Sequence, residues 1–499
     1  MFSNHPIKED ITNPLDIRVQ GWRIENGYVK YLLCCRRRIN PTRKWYLQKR
    51  YSDFYQLNDS LKGYDSYLKL PKKKLFGNLN EAFISERLLH LQSFINKIFS
   101  LPILYGNKKV WEFFGLEKLS IGDYKYWVLV LTRNQPKCND TDCSFIECGW
   151  RGNKINYLIN NNKNLPKLLS WLPFGPHFNK YQKTNDLTAI LEYIGSLKLP
   201  FIMPPSSSWV DEKGIGCIRD IDGKGSLRDL LWEVKKPMDN FLKKYGNNKE
   251  SKSLHLNDIK IIGGQIIESL LFFLSINYPF IDIHCGNIKF NDNIFQFFDI
   301  EFSLCGHSCI HRSGMLRNCA VNVSFIIYTT FLSITLFQSI EDMMVFSFGN
   351  CLYEMLGCGI FFPDTDPNSG YDNLPEELLP VFKSIFEPSN NILPSLKEIA
   401  INPLFNSCNC IHPIIDEMDK ISLPKNISTT LDSLIKNIVN RVKEDREKMK
   451  GPEEEITNGV GDYNNSLQKD ALRINQLMNL SKNDDQIDQS IHCEKEEGF

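Results

Sequence analysis

The stretch from Ile281 to Glu301, IDIHCGNIKFNDNIFQFFDIE, leaves few folds open. It sets Asp282, Asn287 and Asp299 in fixed order, with steps of five and twelve residues. Two short apolar runs, Ile288 to Phe290 and Ile294 to Phe298, follow the amide and are split by Asn291-Asp292-Asn293. Turn formers between apolar runs predict loop, strand, turn, strand, loop. A phosphoryl-transfer site uses a carboxylate to take the substrate proton, and an amide and a second carboxylate to hold Mg²⁺. Asp282 fits the first role, Asn287 and Asp299 the second.

The chain before this stretch reads as strands, then helices. Ser144 to Trp150, Ile155 to Ile159 and Leu168 to Trp171 are short strand candidates. A helix is predicted over Asn185 to Leu197, with Leu187, Ile190, Leu191 and Ile194 on one face and Glu192 beside it. Leu199 to Met203 and Ile215 to Ile221 read as two more strands, and GKGSLRDLLWEV turns into a helix. Leu256 to Tyr278 is a long amphipathic helix that delivers the chain to Phe280 and Ile281. That order suits an α+β, two-lobed arrangement.

The first hundred residues have a different grammar. Residues 15 to 37 alternate imperfectly and break at Glu25-Asn26-Gly27, a hairpin signal. Trp45 to Tyr51 gives a third strand, and Ser52 or Asp53 can cap the helix DFYQLNDSLK that follows. A loop with Lys72-Lys73-Lys74 precedes a helix opened by Asn80. Its apolar residues Ile84, Leu88, Leu91, Ile95 and Ile98 fall at three- and four-residue spacing, and Arg87 lies one position off that stripe. Singly, Arg50, Lys73 and Arg87 read as solvated surface charges; together they bracket one loop.

The order RYSDF, LPKKKLFGN, FISERLLHLQSF resembles that of the PX (phox homology) domain, over about residues 15 to 118. The resemblance implies a site for phosphatidylinositol 3-phosphate. Arg50 would pair with the 3-phosphate, Tyr51 would pack under the inositol ring, Lys73 would contact the 1-phosphate and Arg87 the ring hydroxyls. Side-chain chemistry agrees, since a guanidinium fork suits a phosphate and a flexible ammonium a more diffuse one. Lys72 stands where the family often has a second proline, which leaves the choice of lysine open. One headgroup rarely anchors a protein alone, so apolar insertion is expected as well, with Leu75 and Phe76 as candidates.

The second region resembles the protein-kinase fold. Asp282-Ile283-His284-Cys285-Gly286-Asn287 stands for the Asp-x-Lys-x-x-Asn loop, and Asp299-Ile300-Glu301 for Asp-Phe-Gly. With GWRGNKINYL, GKGSLRDLL, FLKKYGN and FFDIEFSLCG, the chain is similar to the PX-domain-containing serine/threonine kinase-like proteins over about residues 15 to 445. Asp282 would then be the catalytic base and Asn287 and Asp299 the holders of Mg-ATP, a cofactor the resemblance implies without assuring it. No Gly-x-Gly-x-x-Gly lies between Ser144 and Leu169, and Trp171 stands where an ATP-anchoring lysine is expected. Lys154, Lys163 and Lys167 lie far from Glu192 along the chain, so Glu192 reads as an exposed helix charge. Glu301 adds an acid beside the metal position, able to bind a cation or repel ATP. Met344 replaces the aspartate that braces the catalytic loop in many kinases, with Asp342 as a stand-in. His284 reads as a structural hydrogen-bonding group and His307 as surface loop.

Composition sets outer limits. The 499 residues suggest two to four domains, and 59 basic against 59 acidic side chains make no basic field for nucleic acid. Fifteen cysteines without a paired rhythm fit reduced thiols in the cytosol; Cys408-x-Cys410 and Cys305-x₃-Cys309 are weak metal signals. Asn318 to Ile340 carries no formal charge and has the length of a membrane span. Its many hydroxyl and amide side chains favour a buried element or an unusual insertion. The expected organisation is a PX domain over 12–120, a linker over 121–143 and a kinase-like domain over 144–425. A C-terminal helix over 426–449 and a mostly disordered tail over 450–499 complete it. Two functional readings follow. One is a peripheral endosomal membrane adaptor, whose kinase-like domain binds protein partners in receptor trafficking with little or no catalysis. The other is an atypical ATP-dependent phosphotransferase. The retained trio favours the second; the missing glycine loop and lysine favour the first.

Overall fold

A computed structural model of the chain describes residues 15–37, 40–61, 79–100, 108–115, 144–151, 154–160, 166–175, 184–197, 199–221, 225–234, 251–291, 294–312, 339–360, 374–389, 392–406 and 423–450, with some single positions between them. Their buried side chains form two separate hydrophobic cores.

The smaller core lies under a three-stranded antiparallel sheet, β1 (Leu15–Glu25), β2 (Tyr28–Arg37) and β3 (Asn40–Arg50). Asn26 and Gly27 both have positive φ, 52° and 79°, as a two-residue hairpin turn of the primed kind requires. Helix α1 (Tyr51–Leu61) follows β3 directly. Asp53 lies within its first turn and accepts the backbone N–H of Arg50 at 2.9 Å, so it supports the helix start from inside. Asn80 does cap α2 (Glu81–Ser100), accepting from the N–H groups of Ala82 and Phe83 at 3.0 and 3.3 Å. The α2 stripe Ile84, Leu91, Ile95 and Ile98 is buried under β1 and β2, and α3 (Lys108–Phe113) closes the core with Phe113 and Phe114 against Phe54 and Phe99.

The larger core belongs to a two-lobed unit. The small lobe is a five-stranded antiparallel sheet in the order β4-β5-β6-β8-β7. Its strands are β4 (Ser144–Arg151), β5 (Lys154–Asn160), β6 (Lys167–Pro173), β7 (Ser207–Val210) and β8 (Gly214–Asp220), with α4 (Thr184–Ser196) packed alongside. Leu199 to Met203 does not form the expected strand. It makes one parallel bridge, Ile202 to Phe297, and so ties the small lobe to the hairpin of the large one. Around it, Phe297 N–H donates to Phe201 O and Met203 N–H to Phe297 O, both at 2.8 Å. Strand β7 escaped the sequence reading because Ser-Ser-Trp-Val shows no alternation.

The large lobe is helical. Ser226 caps the short α5 (Leu227–Leu231) in a capping box with Asp229. Helix α6 (Leu256–Ser275) runs through the core and leads to β9 (Ile288–Asn291) and β10 (Ile294–Phe297), the predicted hairpin. Helices α7 (Ile340–Met355), α8 (Leu379–Phe386), α9 (Leu396–Ala400) and α10 (Pro403–Asn406) complete the lobe. Asp342 is engaged in the α7 capping box with Ser339, and Met344 is buried, so Asp342 serves the helix start. Helix α11 (Lys425–Lys450) follows. Its Ile427, Leu431, Leu434 and Ile438 join the large core, and it packs on α4 and α7. Among the described residues no helix is long and apolar enough to cross a membrane. Residues 318–338 of the uncharged stretch, Leu75 and Phe76, Cys408-x-Cys410 and residues 451–499 lie outside the described residues.

Candidate functional sites

The cleft of the first unit grows from the junction of β3 and α1. Arg50, the last residue of β3, is exposed and ion-paired through Nε with Asp53 at 3.2 Å. An exposed pair of this kind is worth about 0–1 kcal/mol, so the guanidinium is readily released to a stronger anion. Tyr51 donates its hydroxyl to the carbonyl of Pro71, fixing that residue against α1. One turn on, the Tyr55 ring carries the exposed Lys73, whose Nζ lies 3.8 Å from the ring centroid. The Arg87 guanidinium stands 4.1 Å from the centroid of Tyr51 and 4.2 Å from that of Phe83. The structure therefore brings Arg50, Tyr51, Lys73 and Arg87 together.

Arg87 is the informative member. It is only 5% exposed, and its Nε and Nη2 have no hydrogen-bond partner among the described residues. Two aromatic faces stabilise the charge from the sides, while of the in-plane donors Nε and Nη2 are unfilled among the described residues and the Tyr31 phenol lies close to the guanidinium. A buried guanidinium with open donors is costly unless an anion or hydroxyl meets it. Burial pushes the nearby Tyr31 phenol above its ordinary pKa, and Arg87 opposes that rise.

The second site lies between the lobes. Asn287 ends a 3-10 turn, Cys285–Asn287, and donates Nδ2 to the Asp282 carbonyl at 2.9 Å and to its Oδ2 at 3.1 Å. Phe298 N–H donates to Asn287 O at 3.0 Å, which sets the next residue, Asp299, beside the amide. Asp299 adopts left-handed backbone, φ 58°, which its short polar side chain tolerates. His284 Nε2 lies 3.4 Å from Asp282 Oδ2 and is buried, in the bracing position expected of it. His311, unremarked in the sequence, donates Nε2 to Ile283 O at 2.9 Å; burial drives its pKa down to about 4, so it is neutral. His307 is not surface loop. It is buried, stacked on Phe302 with centroids 5.0 Å apart, and bonded to Pro173 O at 2.6 Å.

The trio is thus assembled, but two cations already fill it. Lys154 Nζ donates to Asn287 Oδ1 at 2.6 Å and to Asp299 Oδ2 at 3.0 Å, and is 2% exposed. Arg219 donates Nη1 to Asp299 Oδ1 at 3.2 Å, Nη2 to both oxygens of Glu301 at 2.6 Å, and Nε to Met203 O at 3.0 Å. Burial works against the charge on Arg219, yet Glu301 and Asp299 outweigh it and keep it protonated. Burial alone would raise the Asp299 pKa; Lys154 and Arg219 hold it below the ordinary carboxylate range. Glu301 therefore binds a cation, and the cation is the protein's own.

Sheet geometry explains how these residues meet. Asn156, Ser170 and Cys217 lie directly opposite one another across β5, β6 and β8. Lys154 and Arg219 are each two residues from members of that row, so all share one face. Ser170 is then the site-facing residue of β6. Trp171, opposite Ile155 and Gly216, points to the other face, so the residue in the lysine's place is Ser170. Glu192 is exposed on α4, and the lysine reaching the site comes from β5 instead. Arg219 was legible in phase with the apolar Ile215 and Cys217. Lys154 carried no such local mark.

Mg²⁺ does not fit this arrangement. The Asn287 and Asp299 oxygens that would ligate it accept from an ammonium. An incoming ion would have to displace the Lys154 ammonium from both of its acceptors. The buried Cys305 and Cys309 thiols turn to other partners, Cys305 to Leu172 O at 3.5 Å and Cys309 to the Met315 sulfur at 3.9 Å.

Comparison with known proteins follows the same division. Residues 37–117 match the PX domain family. A mouse protein named PX domain-containing protein kinase-like protein is 32% identical over 352 residues, 69% of this chain and 57% of the relative. The chain thus spans just over half the length of that relative. The Dictyostelium discoideum protein named probable inactive serine/threonine-protein kinase slob1 is 29% identical over 233 residues, 42% of this chain and 36% of its own. The Drosophila melanogaster Slowpoke-binding protein is 24% identical over 241 residues, 44% and 41% of the two chains.

Proposed function

This chain belongs to the PX-domain-containing, protein-kinase-like family, and we propose that it is a phosphatidylinositol 3-phosphate-binding peripheral protein of endosomal membranes. In this reading the kinase-like domain serves as a protein-binding adaptor in receptor trafficking and has little or no catalytic activity. The observation that carries the lipid half is the buried Arg87, whose Nε and Nη2 lack partners among the described residues, beside the weakly tethered Arg50. Arg50 supplies a fork for one phosphate, Lys73 a mobile charge for a second, and Arg87 open donors for ring hydroxyls. The adaptor half draws support from the self-filled site and from relatives named inactive kinase and Slowpoke-binding protein.

Vesicle co-sedimentation tests the lipid half. Binding should require the 3-phosphate and fall at least about tenfold in Arg50→Ala, an effect of about 1.4 kcal/mol. Equal binding to vesicles without phosphoinositide, or full binding by Arg50→Ala, would refute it. The second reading, an atypical phosphotransferase, draws on the contact between Asn287 and Asp282 that holds the acid-amide-acid set together. Transfer of labelled phosphate from Mg-ATP, abolished in Asp299→Ala, would put that reading in place of the adaptor.

A further inference from the structure

We propose that the Lys154 ammonium is a built-in replacement for a divalent cation, so that the kinase-like domain is assembled without metal and excludes it. The inference rests on reading Asp282, Asn287 and Asp299 as a former phosphotransfer set; it needs nothing from the lipid site.

Three features carry it. First, Lys154 Nζ touches Asn287 Oδ1 and Asp299 Oδ2 together, at 2.6 and 3.0 Å. These are the two oxygens, from two different segments, that a shared metal would join. Second, the acids at the ion position already have cations. Asp299 faces both Lys154 and Arg219, and Glu301 faces Arg219, all four buried, so an added +2 ion would compete with both side chains for the same oxygens. Third, the ammonium does the mechanical work of the ion. It ties small-lobe β5 to the large-lobe residues on either side of the β9–β10 hairpin, and Phe302 lies 5.5 Å away as an additional face for the charge. Arg219 repeats the tie from β8.

The arrangement makes an uncommon prediction: removing a cation creates a cation site. In Lys154→Ala, Asn287 and Asp299 regain free oxygens in a pocket that has lost one positive charge. Mn²⁺ is the probe, followed by electron paramagnetic resonance of the full chain and by thermal denaturation. The wild type should leave the free-Mn²⁺ signal and its own melting temperature unchanged. Lys154→Ala should melt lower without metal, gain Mn²⁺ binding at least about tenfold tighter than the wild type, and recover melting temperature on titration. Lys154→Gln, whose neutral amide can still donate to both acceptors, guards against a simple loss of folding and should bind Mn²⁺ between the two. Asp299→Asn added to Lys154→Ala should abolish the gain. Mn²⁺ bound by the wild type at Asp299 without phosphate transfer from ATP overturns metal exclusion and leaves the adaptor reading standing. Mn²⁺-dependent phosphate transfer overturns both. No gain of Mn²⁺ by either folded Lys154 variant also refutes the proposal.

Discussion

The two units each bury positive charge, and they treat it in opposite ways. In the PX cleft Arg87 is held between the Tyr51 and Phe83 rings, with Nε and Nη2 unmet among the described residues. Between the kinase-like lobes, Lys154 and Arg219 are met at every side by Asn287, Asp299 and Glu301. An unmatched buried cation costs stability that a ligand can return. A matched one has spent its attraction inside the fold. Side chains of the same sign and similar burial thus mark a receptor in one unit and a closed joint in the other.

Stability measurements should break or sharpen that contrast. The largest effect is expected from Arg219→Met, which leaves Glu301 buried without a partner and strips Asp299 of one. It should cost about 3–5 kcal/mol in urea denaturation. A cost under about 1 kcal/mol would mean that the network is not a structural joint. Adding Glu301→Leu should return more than half of the loss, since a matched pair can be exchanged for apolar packing at little net cost. Arg87→Met should behave in reverse: stability unchanged or raised by about 1 kcal/mol, and vesicle binding lost. If Arg87→Met destabilised as much as Arg219→Met, the cleft cation would be a structural element after all.

Two buried titratable groups extend the test through pH. His311 is neutral in the fold, with a pKa lowered to about 4 from 6.5 by burial. Its contribution is complete above pH 6.5 and lost as pH falls through 4, about 3 kcal/mol at about 1.4 kcal/mol per unit. His311→Gln should flatten that acid limb. Glu268 on α6 is the acidic counterpart of Arg87, a buried carboxyl whose Oε1 has no hydrogen-bond partner among the described residues. Burial raises its pKa from 4.5 to about 7. A raised carboxyl contributes most below pH 4.5 and loses that contribution as pH climbs through 7, so Glu268→Gln should gain about 2 kcal/mol on the wild type at pH 8. Equal pH profiles for Glu268→Gln and wild type would show that this carboxyl is hydrated.

The PX cleft was readable because its parts are local. Arg50 ends a strand, Tyr51 opens the helix that follows, Lys73 sits in the next loop and Arg87 on the second helix, all in one unbroken run of chain. The acid-amide-acid set was readable for the same reason. Its cations were not. The strand pattern points to a lysine position at Trp171, one residue out of phase with the face that Ser170 presents, and Lys154 is remote from Glu192 along the chain. Sheet pairing makes that distance irrelevant. His307 was misread as surface because nothing local announces the Phe302 ring or the Pro173 carbonyl that enclose it.

The Lys154 contacts span 133 and 145 residues of chain, and the Arg219 contacts 80 and 82. During synthesis at roughly 5–20 residues per second, the small-lobe strands precede their acids by about 4 to 29 s. Through that interval a nascent sheet would have to bury a lysine and an arginine with nothing to answer them, so closure of the lobe waits for the hairpin. The joint that replaces a metal thereby also sets the order of birth: the PX unit can fold as it emerges, while the kinase-like unit folds as a whole, after its residue 301 has been made.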